Sequence, residues 1–146
     1  MSQQASRPEQ LIGTWTLVSH EASRPDGSKI LPYGPNPKGV ANFDAGGRFI
    51  TTVMKSDRPK FAMDLPSLGS SEENKATAEG TMTYFGTYSV NEADRMISIH
   101  IEARSFPNWN GTDQTRGFAV AGDQLTLTAR ALPTGGSAEV IWKPAR

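Results

Sequence analysis

The residues best suited to chemistry crowd into one stretch, Thr81 to Phe118. It holds His100, one of only two histidines, together with Tyr84, Tyr88, Glu102, Asn108, Trp109 and Arg116. An imidazole takes or gives a proton near neutral pH, a guanidinium grips a carboxylate or enolate, and a tyrosine hydroxyl donates a hydrogen bond from an otherwise apolar wall. This set suits proton transfer such as isomerisation, cyclisation or elimination, with His100 as base or acid, Arg116 holding a developing oxyanion and Tyr84 donating a hydrogen bond. Other chemistries lack their parts. The chain has no cysteine, its histidines are far apart and its acids are not clustered, so no metal site is expected. There is no nucleophile elbow, phosphate loop or dinucleotide fingerprint, so no cofactor is expected either.

Positioning these residues requires strands. The stretch reads as Met82–Val90, Met96–Arg104 and Gln114–Val120, joined by a turn at Asn91–Arg95 and a longer loop at Ser105–Asp113. In the second strand Ile97, Ile99, Ile101 and Ala103 alternate with Ser98, His100, Glu102 and Arg104, so one face is apolar and the other ionisable. Two orientations follow. Either the ionisable face lines an interior pocket and His100 works there, or the isoleucines point inward and His100 is solvated. Arg116 shares a face with Gln114, Phe118 and Val120, which implies burial and a partner: Glu102, Asp113, or a ligand carboxylate or enolate. Tyr84 and Tyr88 share a face with Gly86, which either leaves room for a ligand or marks a bulge. Tyr33, in an expected rim loop, and Asn108 and Trp109, in the long loop, complete a candidate pocket lining.

The remaining chain supplies more strands. Gly13–Glu21 alternates Trp15, Leu17 and Ser19 against Thr14, Thr16, Val18 and His20. Lys29–Tyr33, Val40–Asp44, Arg48–Met54, Gln124–Arg130 and Ala138–Trp142 follow, most of them separated by turn-forming Gly, Pro, Asn and Asp. Lys55–Gly80 breaks the pattern: it is long, interrupted by proline, and Ser71–Glu79 has the composition of one short capped helix. A connection of that length is expected to act as a lid. Residues 1–10 read as a flexible arm and 11–146 as one domain, consistent with a 146-residue chain. About eight to ten strands with hairpin-length turns predict an all-β, antiparallel up-and-down barrel. Such a barrel is wide enough for side chains or one small ligand.

In order and spacing, Gly13-Thr-Trp15, Pro32-Tyr-Gly34, Gly39, Gly47-Arg48, Tyr84-Phe-Gly-Thr-Tyr88, His100, Pro107-Asn-Trp109, Gly111 to Arg116, Leu125-Thr-Leu127 and Trp142-Lys143 resemble the small single-domain lipocalin-like proteins of the calycin superfamily. The resemblance spans Leu11 to Lys143. It implies a calycin barrel with Trp15 and Trp142 as end plugs, places a histidine at position 100, and adds Arg48 to the candidate ligand-binding residues Tyr33, Tyr88, Glu102, Asn108, Trp109 and Phe118. Acidic and basic residues balance at 15 each, so a nucleic acid partner has no electrostatic basis. No signal-peptide or membrane-length apolar run is visible, so a soluble, cytoplasmic protein with no membrane partner is expected. The functional expectation is a lumen for a small, largely apolar cyclic or aromatic molecule, either turned over by proton transfer without a cofactor or simply bound. The rival is a filled barrel whose isoleucine face makes a homodimer or other oligomer.

Overall fold

A strand sends successive side chains to opposite faces, so a barrel built from alternating sequences separates a packed lumen from a wet exterior. The computed structural model of the chain, which describes residues 10–129 and 136–145, shows that arrangement. Its strands are β1 (Gly13–Ser23), β2 (Lys29–Ile30), β3 (Lys38–Phe43), β4 (Arg48–Met54), β5 (Thr81–Asn91), β6 (Met96–Arg104), β7 (Asp113–Ala121), β8 (Gln124–Ala129) and β9 (Ser137–Pro144). Neighbours pair antiparallel in the order β2-β1-β3-β4-β5-β6-β7-β8-β9, and pairing of β1 with β9 closes the sheet. The two-residue β2 only extends the end of β1, so eight strands form the barrel proper. The expected arm lies outside the described residues except for Gln10, as does most of the expected last turn, Leu132–Ser137.

One end of the barrel is filled. Leu11, Trp15, Phe43, Phe49, Tyr88, Val90, Ile97, Ile99, Ile101, Phe118, Leu125 and Trp142 form its buried core. The indole of Trp15 donates to the Leu11 carbonyl at 2.9 Å, fastening the entering chain across this end. Phe43 meets Tyr88 edge to face at 5.1 Å, and Phe49 meets Tyr84 the same way at 5.5 Å, so Tyr84 stands where the packed core stops. Of the two orientations open for β6, the isoleucines therefore take the inside and are unavailable as an oligomer interface.

Two β-bulges interrupt the alternation, both toward the other end. The β1–β9 register slips between Leu17 and Ser19, leaving Val18 as the extra residue, so His20 and Ala22 join Trp15 and Leu17 on the inner face. In the β5–β6 pair, Gly86 faces Ile101 but Phe85 faces Ala103, so Glu102 is the extra residue and Arg104 turns inward opposite Tyr84. Gly86 makes the second bulge possible: a β-carbon there would overlap the His100 carbonyl oxygen.

The long connection contains the expected helix, α1 (Ser71–Glu79). Its cap is Ser70, whose hydroxyl accepts from the Glu73 amide while the Glu73 carboxylate accepts from the Ser70 amide. The Lys55 amide donates to the Gly80 carbonyl at 2.8 Å, drawing the two ends of the connection together. No residue from 55 to 80 lines the interior cavity described below.

Candidate functional site

Above Tyr84 the lumen is open. A cavity of about 570 Å³ lies among β1, β5, β6, β7, β8 and β9, walled by Ala22, Met82, Ala129, Ala138 and Val140 and by the rings of Tyr33, Tyr84 and Trp109. That volume falls within the roughly 300–1,000 Å³ typical of small-molecule sites. Into this mostly apolar space reach His20, Arg104, Gln114 and Arg116. The bulges explain how His20 and Arg104 come to face it, and unbroken alternation along β7 explains Gln114 and Arg116.

The electrostatics of the cavity are lopsided. Two guanidiniums line it, and among the described residues no carboxylate side chain turns into it. Asp113 belongs to the wall, but its carboxylate lies on the outer face against His100. Arg116 is satisfied by neutral acceptors only, the Gln114 side-chain oxygen at 2.6 Å and the Thr115 carbonyl at 2.9 Å. Arg104 lies over the Trp109 ring at 4.4 Å and the Tyr84 ring at 5.0 Å, and its Nε is buried with no hydrogen-bond partner. Burial holds the Arg104 pKa below the ordinary arginine value. The phenols of Tyr84 and Tyr33 counter this, while the charge on Arg116 adds to it.

Tyr33 and His20 form the opposite side. Their rings meet edge to face at 5.0 Å. Burial raises the Tyr33 pKa, and the charge on Arg104 partly offsets that rise. Burial lowers the His20 pKa, so its imidazole is neutral at pH 7, and its Nδ1 is buried without a partner.

Of the residues expected from sequence, Tyr33, Tyr84, Trp109 and Arg116 converge on the cavity. His100 does not. It sits on the outer face, its side chain 47% exposed, with Nδ1 2.8 Å from Asp113 Oδ1, because inward isoleucines on either side force it outward. Glu102 is the bulged residue and pairs on the outside with Arg48 at 3.2 Å, so neither residue reaches the lumen. Neither Glu102 nor Asp113 is the salt-bridge partner weighed for Arg116. Tyr88 is buried in the filled end with its hydroxyl donated to the Asp44 carbonyl at 2.6 Å, and Phe118 packs in the same core. Asn108 is exposed in the loop and does not line the cavity. Sequence reasoning missed His20, Arg104 and Gln114; Gln114 was legible from its shared face with Arg116.

A closed eight-stranded barrel with Trp15 and Trp142 packed in its buried core is the architecture that the strand pattern and the family resemblance together imply. A sequence profile of the lipocalin-like domain family matches residues 12–145, nearly the whole barrel. The chain belongs to the lipocalin-like domain family. No curated protein matches it significantly. Among the described residues of this lipocalin-like barrel, no three His, Cys, Asp or Glu side chains gather in a metal-binding cluster, and no helix is long and apolar enough to cross a membrane.

Proposed function

We propose that this lipocalin-like barrel binds a small cyclic or aromatic molecule bearing an acidic group, with the ring against Tyr84, Trp109 and Tyr33 and the anion held by Arg104 and Arg116. The observation that carries this reading is a pair of guanidiniums lining one cavity without a facing carboxylate, that of Arg104 partly desolvated and missing an acceptor at Nε. Burying a charge without a counterion is costly, and the like charge of Arg116 on the same cavity adds to the cost at Arg104. A ligand anion removes that penalty and gains charge-assisted hydrogen bonds. The apolar walls supply the rest of the binding energy through buried ring surface.

Calorimetric titration of matched pairs tests the reading: aryl acetates and naphthoates against their methyl esters, which keep the ring and lose the charge. The acids bind about ten- to a hundred-fold more tightly than the esters, as expected for losing one or two charge-assisted hydrogen bonds. Equal affinity within each pair, or no binding of any acid, contradicts it.

A further inference from the structure

His20 is a titratable group in the cavity that anion binding does not use. It is neutral at pH 7 and is held on the wall by the Leu17/Ser19 bulge. The titratable groups facing the same space are Tyr33 from the segment after β2, Tyr84 from β5, Arg104 from β6 and Arg116 from β7, with Gln114, Thr112 and Thr115 as neutral polar neighbours; Asp113 belongs to the wall but turns its carboxylate outward to His100. Tyr33 has a raised pKa and is a proton donor at neutral pH, not a base. Among the described residues, His20 is therefore the side chain in this cavity fitted to accept a proton from carbon at neutral pH.

We propose that His20 is a general base for enolisation of a bound aromatic or cyclic keto acid, a catalytic role that rests on the anion-binding reading above. The neutral imidazole removes a proton from the carbon beside the ketone. The C–H electron pair becomes the new C=C bond, and the carbonyl π pair moves onto oxygen as an enolate. Arg104 and Arg116 hold the carboxylate and the enolate oxygen, placing positive charge where negative charge develops. Return of the proton from imidazolium to the same carbon gives exchange, and return to a conjugated carbon gives an isomer. Either path regenerates His20 and consumes no cofactor or second reactant.

Phenylpyruvate in D₂O is the probe, because its benzylic protons lie beside the ketone and their loss is read directly by ¹H NMR. With the full chain at saturating protein, exchange runs at least ~100-fold faster than for the free acid. The rate rises with pH through a midpoint below 6.5 and is level by pH 7, since only the neutral imidazole is active. His20→Gln and His20→Asn, each checked for folding by circular dichroism and measured at saturation, both lose the acceleration. Binding of phenylpyruvate by the wild-type chain without faster exchange overturns the base assignment and leaves the anion site standing. So does acceleration that survives in both variants, or a rate that falls as pH rises from 5 to 7. Failure of phenylpyruvate and every aryl carboxylate to bind overturns the anion site and this role together.

Discussion

Replacing Arg104 with methionine lowers affinity for an aromatic carboxylate by about a hundred-fold while leaving the thermal midpoint unchanged or higher. The two effects have one origin. In the unliganded barrel the Arg104 guanidinium is partly desolvated, repelled by Arg116 and missing an acceptor at Nε. Its compensation is contact with the faces of Tyr84 and Trp109, worth on the order of 0.5–2 kcal/mol. Methionine keeps much of the stem and a favourable contact with the rings but removes the charge and its repulsion. A ligand carboxylate then loses one of its two cationic partners. Calorimetry of the variant alongside a thermal melt reads both quantities. Loss of affinity accompanied by a large loss of stability would mark Arg104 as a structural residue instead.

Gly86→Ala has the largest expected effect on folding, a destabilisation of about 2–4 kcal/mol. For a domain of this size that corresponds to roughly 6–15 °C in melting temperature. The new β-carbon would overlap the His100 carbonyl oxygen and crowd the Glu102 amide, so β5 and β6 cannot keep their bulged register. Gly117→Ala is the matched control. Its β-carbon would meet Thr128 at an ordinary 3.7 Å, and replacing glycine in a strand reduces unfolded-chain entropy, so its melting temperature stays level or rises. Even where Gly86→Ala remains folded, straightening β6 turns Arg104 outward and weakens anion binding. Urea denaturation of the two variants separates a specific clash from a general intolerance of alanine on these strands.

The architecture was legible because it rests on local signals that the tertiary structure reinforces. Alternation in Met96–Ile101 and Gln114–Val120, the Ala45–Gly47 turn and the helix formers of Ser71–Glu79 each specify an element alone, and sequential pairing then closes the barrel. The site was half legible for a physical reason. A strict period of two fixes the face of every residue in a strand until one residue is added, and each bulge adds one. In β1 and β6 those additions fall just before the open end, so His20 and Arg104 carry the phase opposite to that predicted from the first half of each strand. Gly86 was a visible sign of one bulge; Val18 gave no comparable sign of the other. His100 and Glu102 share a face with Arg104 by simple counting, yet only Arg104 lies beyond the bulge. The cavity also survives an inward isoleucine face, because Ile97, Ile99 and Ile101 fill one end of the lumen and leave the other to Tyr33, Tyr84, Trp109 and the arginines.

The most direct test of an anion held by Arg104 and Arg116 is the side-chain ¹⁵N NMR spectrum of the arginines, assigned by Arg104→Met and Arg116→Met and recorded with an aryl carboxylate and with its methyl ester. The carboxylate shifts the Nε–Hε resonances of both residues and slows their exchange with water, and the ester leaves them in place. Saturation by the carboxylate with neither resonance moved, or equal shifts from the ester, would contradict the site.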